Sequence, residues 1–135
     1  MPPSLLDTNI LSAVMRNRPA VIPHAQAYLA AHGRFTFSII TRYEILRGLK
    51  AKGAATQLAA FEQLCAASDV VPLTDAVVVL AADIYADLHR RRELIGDADT
   101  LIAATALEHG LTVVTDNTVH FARVADLPLQ NWLRP

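Results

Sequence analysis

Short apolar runs alternate with longer segments whose apolar positions recur at helical spacing, and the two periods predict strands alternating with helices. The first run, SLL at 4–6, passes at once into Asp7, Thr8 and Asn9, residues that turn a chain and cap a helix. It reads as a buried strand feeding a helix start, with Asp7 at the strand's carboxyl end. PAVIPHAQAYLAAHG (19–33) carries a helix that Gly33 stops, RFTFSII (34–40) reads as a strand, and TRYEILRGLKAKG (41–53) as a helix. ATQLAAFEQLCAAS (55–68) adds another helix and VVPL (70–73) another short strand. Val77, Leu80, Ala81, Ile84 and Leu88 then mark one face of a long amphipathic helix ending in HRRRE (89–93). A helix from the Asp97/Asp99 region to Gly110 leads into the β-rich LTVVT (111–115), and LPLQNW (127–132) supplies an edge strand that tolerates its proline. The order predicts an α/β fold of four or five parallel strands with helices on both faces.

Composition sharpens this picture only slightly. The chain has 135 residues, 53% of them hydrophobic and 19% charged, enough apolar material for the core of one domain spanning 1–135. Twelve basic against thirteen acidic side chains give a net charge of -1, so no global positive field draws nucleic acid; a local basic strip would be needed. The single Cys65 has no partner within the chain and falls among apolar positions, which fits a reducing interior. The amino terminus lacks a basic segment followed by a long apolar one, and no uncharged run approaches the ~18 residues of a membrane span. The expectation is a soluble, cytoplasmic protein.

The acids carry the chemistry. Ligands in open α/β sheets bind beyond the carboxyl ends of the strands, and Asp7 and Asp116 both stand at such ends. Glu44 lies just after the FTFSII strand, and Asp97 and Asp99 open the helix before LTVVT. Each also has a structural explanation. Asp7 and Asp97 suit helix caps, Glu44 completes a capping box with Thr41 in TRYE, and Asp116 suits an Asx turn. Caps and turns accept Ser, Thr or Asn as readily, yet this chain places a carboxylate at every one of these points. Two carboxylates ~4 Å apart repel by about 4 kcal/mol at an effective dielectric of about 20, so a cluster calls for a cation. All-oxygen ligands, with no His pair at zinc spacing, suit Mg²⁺ or Mn²⁺, the cations of phosphodiester hydrolysis.

LLDTNIL, ITRYEILRG, GDADTLIAATALEHGLTVVTDN and the following HF together resemble a PIN-domain ribonuclease of the VapC toxin type, over nearly the whole chain. The resemblance implies a three-layer α/β/α sandwich around a central, mainly parallel sheet. It also implies a Mg²⁺- or Mn²⁺-dependent endoribonuclease that homodimerises and is inhibited by a VapB-type antitoxin. Residue by residue, it places the family's acids on Asp7, Glu44, Asp99 and Asp116, with Asp7 and Asp99 as the principal metal ligands. Asn117 can share the task of Asp116, His120 stands where an acid is common, and Asp97 is an additional acid expected to cap the helix or sit outside the ligand set. Arg16, Arg18, Arg42 and Arg47 are candidates for RNA phosphates, and HRRRE is expected to complement a helix dipole.

Other acidic sites fit less well. A DxDxT phosphatase read from DADT would need threonine at 101, and a calcium loop starting at Asp97 would need an oxygen ligand at 101 and glycine at 102; these positions are Leu101 and Ile102. A receiver domain would need a lysine at the end of a late strand, and the chain's lysines are Lys50 and Lys52. A non-catalytic α/β binding module is left as the alternative to a nuclease.

Overall fold

The computed structural model describes residues 1–135. In chain order the elements are β1 (Ser4–Leu6), α1 (Thr8–Met15), α2 (Ile22–His32), β2 (Thr36–Ser38), α3 (Ile39–Lys52), α4 (Ala55–Ala66) and β3 (Asp69–Val71). They continue through α5 (Asp75–Arg90), α6 (Asp97–His109), β4 (Thr112–Val114), α7 (Thr118–Phe121) and β5 (Leu129–Gln130). No helix is long and apolar enough to cross a membrane.

All paired strands are parallel, as the alternating strand and helix order requires. They form two ladders, β1-β4-β5 and β2-β3, and β2 packs alongside β1. The five strands therefore lie in the order β3-β2-β1-β4-β5, with the continuous backbone ladder interrupted between β2 and β1. From β1 the chain builds outward on one side through β2 and β3, then crosses back to place β4 and β5 on the other. The reversal falls between β1 and β4, and the carboxyl ends of the strands at such a reversal are where open α/β sheets place their ligand crevice.

The period of two in β1 and β4 divides the core between the faces. Leu5 pairs in register with Val113, and both pack with Val77, Leu88, Ile102 and Ala103 from α5 and α6. Leu6 and Val114, the next pair, point the other way, into Ile10, Leu11, Tyr28, Phe37 and Phe61. This is the expected three-layer sandwich, with α5 and α6 on one face and α1 to α4 on the other. Helix α6 is buried on nearly all sides, and its run of small side chains lets α5 approach closely. Its buried hydroxyls stay satisfied within the helix, Thr100 Oγ1 donating to the Gly96 carbonyl at 3.0 Å and Thr105 Oγ1 to that of Leu101 at 2.8 Å.

Two local expectations change. The strand read through Ile40 stops at Ser38, because Ser38 is itself the N-cap of α3, extended at φ -79°, ψ 159°, its Oγ accepting from the Thr41 N–H at 3.1 Å. Glu44 therefore stands beyond the first turn and takes no part in a capping box. Gly96, also extended, occupies the N-cap of α6, so Asp97 is the first helical residue; it is exposed and its side chain makes no capping hydrogen bond. Asp97 contributes through the helix dipole alone. The short α7 had no forerunner in the sequence pattern; it turns the chain after β4 and buries Phe121.

Candidate active site

Asp7 leaves β1 at the switch point and is only 4% exposed. Its backbone N–H continues the sheet by donating to the Val114 carbonyl at 2.9 Å, which ties it to the end of β4. One carboxylate oxygen, Oδ1, accepts from the Thr8 N–H at 2.8 Å, so Asp7 is the N-cap of α1; the other, Oδ2, accepts from Thr115 Oγ1 at 2.8 Å. Burial raises its pKa from 3.8 to about 6, the bonds from Thr115 and Thr8 oppose that rise, and the nearby charges of Asp99 and Glu44 add to it. Capping and chemistry are thus not alternatives here. The cap fixes the carboxylate, and burial keeps its charge undercompensated.

The chain after β4 extends this network. Thr115 Oγ1 accepts from the Asn117 N–H at 2.9 Å, and Asn117 Nδ2 donates to Asp99 Oδ2 at 3.1 Å and to His120 Nδ1 at 2.9 Å. Asp99, on the first turn of α6, is half-buried; burial and then the Glu44 charge raise its pKa, against the Asn117 hydrogen bond and the nearby His120. From the other flank, Glu44 Oε1 accepts from Thr8 Oγ1 at 2.7 Å, Thr41 Oγ1 lies 3.2 Å from that hydroxyl, and Arg47 Nη2 stands 3.8 Å from Glu44 Oε2.

The fold therefore brings Asp7, Glu44 and Asp99 into mutual electrostatic range from β1, α3 and α6. Asp116 faces elsewhere. Side chains alternate as β4 runs out: Thr115 and Asn117 turn toward the acids, whereas Asp116 Oδ1 accepts from Asn131 Nδ2 at 3.0 Å and Arg134 Nε at 3.1 Å. The resemblance gave the fourth acid position to Asp116, with Asn117 sharing its task; of the two, Asn117 is the one bonded to Asp99. Thr8 and Thr115, which bond the acids directly, are absent from the sequence-based set of site residues. The only trace they leave in the sequence is a threonine adjoining each strand-end aspartate, in DT and TD.

No three His, Cys, Asp or Glu side chains converge as a preformed metal cage. Acids spaced in this way suit Mg²⁺, which keeps several waters and takes one or two carboxylates. The donor set fits such an ion: all oxygen, partly desolvated, with Asp7 and Asp99 held by hydroxyl and amide groups that leave their negative charge uncancelled, and only Glu44 facing a cation, Arg47.

A carboxylate-lined crevice at the switch point of a parallel α/β/α sandwich defines the class of domain. The PIN-domain family model matches residues 4–127, and the chain belongs to that family. Among its relatives, the tRNA(fMet)-specific endonuclease VapC of Shigella flexneri is 31% identical over 129 residues, covering 95% of this chain and 96% of that protein. Ribonuclease VapC1 of Haemophilus influenzae strain R2866 is 28% identical over 131 residues, covering 96% and 98% of the two chains. The fold is similar to that of DNA-bound VapBC from Salmonella typhimurium, with a TM-score of 0.86, 28% identity and coverage of 98% and 99%. VapBC-1 from nontypeable Haemophilus influenzae superposes with a TM-score of 0.83 at 29% identity, covering 97% and 98%.

Proposed function

We propose that this chain is a Mg²⁺-dependent endoribonuclease of the VapC type, the toxin of a toxin–antitoxin pair, active in the cytoplasm and held in check by a VapB-type antitoxin. Mn²⁺ is the substitute cation. The observation that carries the reading is that Asp7, Asp99 and Glu44, drawn from three separate elements, lie within electrostatic reach of one another, with the pKa of both aspartates raised. RNA as substrate is supported by the names of its relatives, which are ribonucleases and a tRNA endonuclease. An antitoxin partner is supported by the VapBC complexes whose fold it shares. A homodimer is in keeping with the apolar side chains that α5 exposes, Val78, Val79 and Tyr85.

Asp7 and Asp99 would hold the cation, which when bound lowers the pKa of a water and neutralises charge on the leaving oxygen. Asp7 is set for this by its cap and by Thr115, which leave the carboxylate no rotational freedom. Asn117 orients Asp99 by donating to Oδ2. Glu44, fixed through Thr8, adds negative charge on the open side and accepts hydrogen bonds from water that must be aligned on the phosphorus. Asp116 borders the site on the other flank, where it orders Asn131 and Arg134.

The test is cleavage of a purified tRNA and rRNA mixture with and without Mg²⁺. We expect metal-dependent scission, its loss on chelation, and a loss of about 10²-fold or more in Asp99→Asn with an unchanged circular dichroism spectrum. Cleavage surviving Asp99→Asn would remove the acidic crevice from the chemistry.

A further inference from the structure

Beside the acidic crevice lies a second, polar cleft of about 220 Å³ whose lining includes Asn9, Ser12, Arg16, Arg18, Asp116 and Leu133. It begins where the acids end: Asn9 follows Asp7 on α1, and Asp116 stands between Thr115 and Asn117. Asn9, Ser12 and Arg16 recur at helical spacing and so share the α1 face that borders it. The cations near the crevice divide sharply. Arg42 pairs with Glu62, Arg47 with Glu44 and Arg134 with Asp116, whereas Arg16 and Arg18 make neither an ion pair nor a side-chain hydrogen bond.

Their backbone is rigid although their side chains are free. Arg16 is the C-cap of α1, and Asn17 adopts the left-handed conformation at φ 54°. Asn17 N–H donates to the Val14 carbonyl at 3.1 Å and Arg18 N–H to that of Ala13 at 3.0 Å, the paired bonds of a Schellman ending. This reversal keeps Arg18 on the same cleft as Arg16. Complementing the helix dipole accounts for one arginine at a carboxyl end, on the helix axis. It does not account for two turned together into a polar cleft whose one carboxylate, Asp116, is already paired with Arg134 and accepts a hydrogen bond from Asn131.

We propose that Arg16 and Arg18 form a positioning subsite for a backbone phosphate of the RNA, flanking the scissile one. About 13 Å of helix axis separate Asp7 from Arg16, too far for the reacting phosphate and suited to a neighbouring one. Two guanidinium forks bind a phosphate without reading its base, so the pair sets the register and direction of the strand across the crevice. The strand leaves the acids over the carboxyl end of α1, not over α4, where Arg42 is held by Glu62.

The inference rests on the ribonuclease reading, and two measurements separate them. Binding of fluorescein-labelled tRNA is followed in an Asp99→Asn background as KCl is varied, and steady-state cleavage is followed in the otherwise unaltered chain. Arg16→Ala with Arg18→Ala should together lower the slope of log K against log[KCl] by about 0.7 to 0.9, the share of one phosphate, which at about 0.15 M salt is roughly a 4- to 5-fold loss of affinity. In that double variant KM should rise by a similar factor with kcat nearly constant, and each single alanine variant should show a smaller share of the loss. Arg16→Lys with Arg18→Lys should retain most of the slope, since counterion release follows charge. Both side chains are exposed, so folding is not at risk. An unchanged slope and KM in the double alanine variant, or a fall in kcat alone, overturns the subsite while the unaltered chain still cleaves RNA. That includes the case in which the variant loses only binding to an acidic protein partner. If the unaltered chain cleaves no RNA, the ribonuclease reading falls and the subsite with it.

Discussion

Replacing Asp7 by asparagine should remove activity and stabilise the fold, and the gain should depend on pH. The Asp7 carboxyl has a pKa of about 6 in the folded chain against an ordinary 3.8, so the folded state binds its proton more tightly than the unfolded one. The contribution to stability is then fully present below pH 3.8, is lost as pH rises through about 6, and stays lost above that. A shift of about two units corresponds to roughly 3 kcal/mol of penalty on the ionised group at neutral pH. Asparagine carries no charge to desolvate and caps a helix as well as aspartate does, so the bond from the Thr8 N–H survives. Thr115 must reverse its role and accept from the new amide, a rearrangement costing about 1 kcal/mol. The net gain at pH 8 is about 2 kcal/mol, or roughly 5 to 10 °C in Tm for a domain of this size. Thermal melts of both proteins from pH 4 to pH 8 in a chelating buffer measure it. The difference in Tm should be near zero or slightly negative at pH 4 and rise to its full value by pH 7. Mg²⁺ should then raise the Tm of the unaltered protein more than that of the variant. A difference that is flat with pH, or an Asp7→Asn protein less stable at pH 8 than the unaltered one, would refute the burial and like-charge account of this site.

Three other outcomes test the surrounding network. Asn117→Ala removes the bond that opposes the rise in the Asp99 pKa, so the acid limb of the pH–rate profile should move to higher pH, with activity at pH 6 falling more than at pH 8. Ser38→Ala should destabilise α3 by about 1 kcal/mol in denaturant unfolding, whereas Glu44→Gln should alter stability by less than about 0.5 kcal/mol yet slow cleavage; the reverse pattern would return Glu44 to a capping role. Asp97→Asn should leave cleavage near normal, since Asp97 is exposed and bonds neither to the helix cap nor to the other acids; a loss as large as that of Asp99→Asn would bring it into the metal site.

The acids were legible in the sequence as candidates, from local rules that also allowed each a structural role. Asp7 follows a strand and so stands at a strand exit, whereas Asp99 opens the helix that ends at Gly110, and the edge of the sheet that this helix start reaches was open in the local pattern until the family resemblance assigned it. Glu44 was legible as a residue of α3 but not in its role, since TRYE matches a capping box and the competing cap, Ser38, lay inside the apolar run taken for the strand. The pairing of Asn117 with Asp99 depends on which way consecutive side chains turn where β4 ends, and no local pattern encodes that turn. The same alternation sends Asp116 toward Arg134 and the cleft. Among the arginines, nothing in the linear order separates Arg42, cancelled by Glu62 from another helix, from Arg16 and Arg18, which have no such partner.

What the sequence by itself determined is local: alternating periods, buried strands too apolar to face water, helix stops at Gly33, Gly53 and Gly110, and carboxylates at strand exits and helix starts. Those features follow from the backbone conformations and burial that each short segment can reach alone. The tertiary structure decided where the strand order reverses, which acids come within electrostatic reach, and which polar side chains hold them. Such properties depend on contacts between residues as distant as Asp7 and Thr115, and their energies exist only once the chain has closed around them.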